Sequence, residues 1–74
     1  MYTPINRRKL GKIAQNRRKI KGWSQQQIAL EIGCDIRSIS QFERGYTSSW
    51  RILAWYLIND IIDNDVVRKC GYYE

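Results

Sequence analysis

Apolar residues recur at helical spacing through most of the chain. Leu10, Ile13 and Ala14 form an inward stripe that Ile20 or Trp23 closes. Thr3 is a candidate cap and Pro4 suits a first helical position, so a helix is expected from there to Gly22. Arg17 stands where that stripe calls for another apolar residue; its stem can pack while its charge reaches solvent. Ser24, with Gln27 three residues on, makes a capping-box pattern ahead of the stripe Ile28, Ala29, Ile32. Gly33 tolerates the left-handed conformation that stops this helix. Asp35 caps the next one, whose short stripe is Ile39 and Phe42 and whose end is Gly45. Helix, tight turn, helix is the unit whose second helix can enter a DNA major groove.

A polar connector, 46–49, follows, and Ser49 or Ser48 can cap a fourth helix from about Trp50. Trp50, Leu53, Ala54 and Leu57 share one face, continued by Ile58 and Ile61. Trp55, Tyr56 and Ile62 fall outside that stripe, so this helix is apolar on more than one side. Asp63 or Asp65 can cap a last short helix over 66–70. The expected fold is all-α, a compact bundle of four to five helices around a central helix-turn-helix. One domain over 1–74 is expected, with its core in 5–58 and a tail, 59–74, that adds a short helix and a partner surface.

Charge sharpens this picture because it is segregated. The formal net charge is +6, and residues 1–22 hold Arg7, Arg8, Lys9, Lys12, Arg17, Arg18, Lys19 and Lys21 without a single acid. The rest of the chain is slightly acidic, so a polyanion is expected to meet the first helix. The plainer reading of such a run is a solvated basic face. Cys34 and Cys70 read as reduced thiols, with Cys34 in the core. With no histidine they cannot build a zinc site, and no other metal or cofactor is expected. Asp60, Asp63 and Asp65 lack the downstream glycine and glutamate of a calcium loop, and capping explains them better. The N-terminus has no apolar run after its charges, and 52–62 is too short to span a bilayer, so a cytoplasmic protein of a bacterial cell is expected. Without a histidine base, a glycine-rich phosphate loop or a paired nucleophile, the sequence points away from an enzyme.

In a helix beginning after Asp35, the residues turned away from Ile39 and Phe42 are Ile36, Arg37, Ser40, Gln41 and Arg44. Arg37 can pair with guanine and Gln41 with adenine; Ile36 can pack on a thymine methyl, and Ser40 can serve base or phosphate. Gln25, at the start of the preceding helix, is suited to a phosphate oxygen. Arg17, Lys19, Arg44 and Thr47 complete the expected phosphate contacts. Each of these taken singly is also an ordinary polar helix surface.

Residues 10–57 resemble the Cro/CI-type (XRE-like) helix-turn-helix family of phage and bacterial regulators. The resemblance is carried by Arg18, then Gly22-Trp23-Ser24-Gln25, Ile28-Ala29, Ile32-Gly33, Ser38-Ile39-Ser40 and Phe42-Glu43-Arg44-Gly45. It implies a lambda-repressor-like all-α domain that binds double-stranded DNA through its third helix, often as a dimer on a palindromic operator. It also implies a partly buried ion pair between Arg18 and Glu43, a phosphate contact at Gln25, and base-facing positions at Ile36, Arg37, Ser40 and Gln41. Three features depart from the pattern. Ile36 is apolar where a polar reader is usual, Arg17 replaces an apolar residue, and nothing after Leu57 reads as a sensor domain, so no small-molecule effector is expected.

Trp55, Tyr56, Ile61, Ile62, Tyr72 and Tyr73 give the tail more apolar and aromatic surface than so small a bundle is expected to hide. Trp55, Tyr56, Ile62, Tyr72 and Tyr73 are therefore candidates for a protein-partner surface. The function expected is a small DNA-binding transcriptional regulator of phage or mobile-element type, with a homodimer or a partner repressor as its protein partner. The rival reading is a modulator or antirepressor that docks on a repressor through the same fold, which an apolar Ile36 would suit. Membrane-surface binding by the basic first helix fits less well, because its apolar residues are needed for the core.

Overall fold

The structure, a computed structural model, describes residues 6–47 and 49–69. They form five helices: α1 (Arg7–Ile20), α2 (Gln25–Ile32), α3 (Ile36–Glu43), α4 (Trp50–Ile58) and α5 (Asn64–Lys69). The architecture is all-α, with α3 packed between α1 and α2 and with α4 closing on α2.

Most helix starts follow from local hydrogen-bond chemistry. Ser24 Oγ accepts from the Gln27 amide while the Gln27 side chain accepts from the Ser24 amide, a complete capping box on α2. Asp35 accepts from the Arg37 amide at the start of α3, and Ser49 from the Ile52 amide at the start of α4. Asp63, rather than Asp65, caps α5, accepting from the Val66 amide at 2.9 Å. That bond, reinforced by the nearby Arg17 cation, holds the Asp63 carboxyl below its ordinary value although burial opposes the shift. Thr3 and Pro4, expected to open α1, lie outside the described residues; the helix begins at Arg7, capped by Asn6.

The ends of α1, α3 and α4 share one device. After α4, the Ile61 amide reaches back to the Tyr56 carbonyl and the Asp60 amide to that of Leu57, with Asp60 at φ 58°. This is a Schellman turn, and α3 ends in the same way with Gly45 at φ 81° in the left-handed position.

The core joins Leu10 and Ala14 of α1, Ile28 and Ala29 of α2, Ile39 and Phe42 of α3, and Ile52, Leu53 and Tyr56 of α4. Of the two residues expected to close the α1 stripe, Trp23 packs on the core and Ile20 is 83% exposed. Two expectations need correction. The inward face of α4 is Ile52, Leu53 and Tyr56, whereas Trp50 and Ile58 are exposed. The core does not stop at residue 58. The turn at Asp60 sends the chain back, and Ile61, Ile62, Val66 and Val67 are all buried. Cys34 is a free thiol, half-buried against the core; Cys70 lies outside the described residues.

Candidate nucleic-acid interface

Helix α3 turns Ile39, Phe42 and Glu43 inward. The opposite arc carries Ile36 and Ser40, one turn apart, beside Arg37 and Gln41, also one turn apart, and Arg44 continues it. Gln41 and Arg44 are exposed, Ser40 is half-buried and Ile36 is 39% exposed. The Arg37 guanidinium stands in solvent at a loose 3.5 Å from Asp35. It is therefore nearly free to take another acceptor, since an exposed pair of this kind contributes little. Asp35 is held below its ordinary carboxylate range, first by the Arg37 backbone amide and then by the Arg37 side chain.

Beneath this arc lies a closed polar network centred on Glu43, whose side chain is 1% exposed. Its Oε2 accepts from Arg18 Nε at 2.7 Å and from the Tyr56 hydroxyl at 2.7 Å. Its Oε1 accepts from Arg18 Nη2 at 3.2 Å and from Gln25 Nε2 at 2.9 Å. Four donors thus meet the roughly four acceptor sites of a carboxylate. A buried charge is tolerable only when paired and hydrogen-bonded in this way. Arg18 also donates Nη1 to the Trp23 carbonyl at 2.8 Å, tying the end of α1 to the start of the helix-turn-helix. Burial, and then the hydrogen bond to Glu43, pushes the Tyr56 hydroxyl well above the ordinary tyrosine value.

The network fixes Gln25. One amide hydrogen is committed to Glu43, while the second hydrogen and the carbonyl oxygen remain to meet another group. Thr47 lies with Gln41 and Ser38 around a hollow of about 300 Å³ between α3 and α4. Arg51 borders the same hollow and donates to the last carbonyl of α2, Ile32, at 2.6 Å. On the other side of α3, a groove of about 360 Å³ is lined by Arg8, Lys12, Gln15, Glu43, Arg44 and Tyr46. Its walls meet closely. A Cβ on Gly45 would stand 2.7 Å from Arg8 Cα, and one on Gly11 2.7 Å from the Phe42 carbonyl oxygen.

Several expected residues do not join the site. Arg17 and Lys19 sit on opposite flanks of α1, because two residues turn a helix by about 200°. Lys19 is exposed, and Arg17, on the other flank, is part-exposed with its guanidinium at a loose 3.7 Å from Asp63. The expected partner surface is not assembled either. Tyr56 and Ile62 are fully buried, the tyrosine because its hydroxyl has a carboxylate to reach inside the core. Trp55 is half-buried, edge-on to Trp23 with ring centroids 5.1 Å apart. Tyr72 and Tyr73 lie outside the described residues.

Sequence reasoning missed the roles of Tyr56 and of the Arg8–Lys12 wall. The spacing of Arg8, Lys12, Gln15 and Lys19, at i, i+4, i+7 and i+11, carried a signal for the second. For Tyr56, only the inward position of Glu43 could have hinted at a buried donor. Among the described residues no group of three or more histidine, cysteine or acidic side chains is placed to hold a metal ion, and no helix is long and apolar enough to cross a membrane.

Comparison with curated proteins and with solved structures returns no match. A family model described as helix-turn-helix does match, over residues 15–49. That span runs from the second half of α1 to the cap of α4, and it contains the Arg18–Glu43 pair, Gln25 and the whole outward arc of α3. Over this segment the match supports the resemblance to the Cro/CI-type (XRE-like) helix-turn-helix family.

Proposed function

We propose that this protein is a small DNA-binding transcriptional regulator of the phage or mobile-element type. In this reading α3 enters the major groove, with Arg37 and Gln41 hydrogen-bonding base edges and Ile36 and Ser40 completing the contact. Gln25, Lys19, Arg44 and Thr47 meet backbone phosphates and set the register. The observation that carries the reading is the two-sidedness of α3. Its inner face is locked by Phe42 and Glu43, while Arg37 stands 84% exposed on an outward arc with only a weak partner.

The test is selection of duplexes from a random-sequence pool, followed by sequencing of what is retained at two salt concentrations. A recovered motif whose preference survives added salt is the expected result, and a palindromic motif would indicate a dimer on DNA. Arg37→Ala should weaken binding to that motif by roughly 1–3 kcal/mol and relax preference at one base pair. If the variant keeps its full preference, α3 does not read bases through Arg37.

Ile36 supports a second reading, since 39% of an isoleucine is left exposed at the edge of the arc. An apolar residue there suits a groove on a partner repressor as well as a thymine methyl. Sequence-blind retention that disappears with salt would favour that modulator or antirepressor role.

A further inference from the structure

We propose that the groove between α1 and the turn after α3 is a second docking site for nucleic acid, one that takes the phosphodiester backbone of a duplex beyond the base-facing arc. The inference rests on the DNA-binding reading above and extends its footprint to Arg8 and Lys12.

The groove is cationic by construction. Arg8 and Lys12 lie one turn apart on α1, and Arg44 stands opposite them at the end of α3. Among the described residues none of the three makes an ion pair, whereas Arg17, Arg18, Arg37 and Lys69 all do. The one acid in the wall, Glu43, offers no neutralisation, because Arg18, Gln25 and Tyr56 already occupy its oxygens. Three cations gathered around one open space repel each other, and a polyanion relieves that repulsion.

The walls are also held at fixed spacing. Gly11 lets α1 lie directly on the backbone of Phe42 and Glu43, and Gly45 lets the turn touch Arg8. The cations are therefore presented by packed backbone rather than by a loose segment. Tyr46, 64% exposed, adds a hydroxyl donor at the rim. Arg44 belongs both to this groove and to the outward arc of α3, so the two surfaces are continuous. A duplex whose bases meet Arg37 and Gln41 can pass its backbone along Arg44 and into the groove. Lys19, further along the same flank of α1, prolongs the track.

The experiment compares two charge-matched double variants of the full chain. Arg8→Gln with Lys12→Gln removes two cations from the groove; Lys9→Gln with Lys21→Gln removes two from elsewhere in the same basic segment. Binding to a labelled mixed-sequence DNA duplex is measured across a salt series, with thermal unfolding of each protein as a check on folding. The groove variant should flatten the slope of log K against log salt by roughly 0.9 for each phosphate it no longer neutralises, and the control should keep the wild-type slope. Equal slopes for the two variants would overturn the groove while leaving the DNA-binding reading intact. If the wild type binds no duplex at any salt, both readings fall together. Tripolyphosphate, added without DNA, separates the sources of phosphate. Should it bind the wild type but not the groove variant while duplex binding is unchanged, the backbone assignment is refuted.

Discussion

Replacing Tyr56 by Phe tests the network that anchors α3. The ring is fully buried, and its edge contacts to Phe42 and Trp55, at 5.4 and 5.8 Å between centroids, survive the change. The substitution removes one 2.7 Å hydrogen bond to a carboxylate. Hydrogen bonds to charged groups contribute about 1.5–3 kcal/mol. The lower half of that range is expected, since Glu43 Oε2 keeps its 2.7 Å bond from Arg18 and is not orphaned. At roughly 4–8 °C per kcal/mol for a domain of this size, the melting temperature should fall by about 6–18 °C. Urea denaturation followed by tryptophan fluorescence gives the free energy directly, with Trp23 and Trp55 reporting from beside the core. The pH dependence is a second signature. The native hydroxyl is held above its ordinary value of 10.0, so the folded state retains that proton more tightly than the unfolded state. Its contribution is therefore whole below pH 10 and is lost as pH rises past it, and the two proteins should converge in stability there. A loss under about 0.5 kcal/mol at neutral pH would mean that the hydroxyl contributes nothing a buried charge requires, and the account of the network would be wrong.

Two further perturbations address packing and acid stability. Gly11→Ala places a methyl group against the carbonyl oxygens of Phe42 and Glu43; because both neighbours are backbone, α1 must shift, and a loss of about 2 kcal/mol or more is expected in the same urea assay. Asp63→Asn keeps a cap acceptor but removes the titration. Since the native carboxyl sits below 3.8, its stabilising contribution is present above that pH and lost as pH falls through the lowered native value. Wild type should therefore lose melting temperature faster than the variant on acidification below pH 3.8, and parallel curves would contradict the assignment of Asp63.

The helix-turn-helix was legible because its signals are local. Ser24 with Gln27, Gly33, Asp35 and Gly45 each act through backbone bonds within a few residues, and the structure uses every one of them. Helix α4 was harder because it is apolar almost all round, so periodicity alone could not choose its inner face. Trp50 drew the expected face about a quarter-turn away from the observed one, which is centred on Tyr56. The choice is made by long-range chemistry. Tyr56 turned inward meets the buried carboxylate of Glu43, and turning the helix to bury Trp50 instead would take that hydroxyl away from it. The same limit hid Asp60, a left-handed residue that is not glycine, and with it the return of Ile61 and Ile62 to the core.

These long-range contacts also bear on how a small domain can hold its third helix firmly. Helix α3 spans only eight residues, and helices that short are marginal on their own. Its start is fixed by the Asp35 cap, and its end by a carboxylate that binds α1 through Arg18, α2 through Gln25 and α4 through Tyr56. A movement of α3 relative to any of these helices would strand a charge-assisted bond in the core. The outward arc is thereby held in register with Gln25 on one side and with the Arg8–Lys12 groove on the other. Pre-organisation of this kind lowers the ordering cost of binding, so a phosphate contact at Gln25 and a base contact at Arg37 are predicted to weaken together when Glu43 is replaced by Gln. Duplex affinities of Glu43→Gln with and without Arg37→Ala check this, and an undiminished effect of Arg37→Ala in the Glu43→Gln protein would refute the coupling.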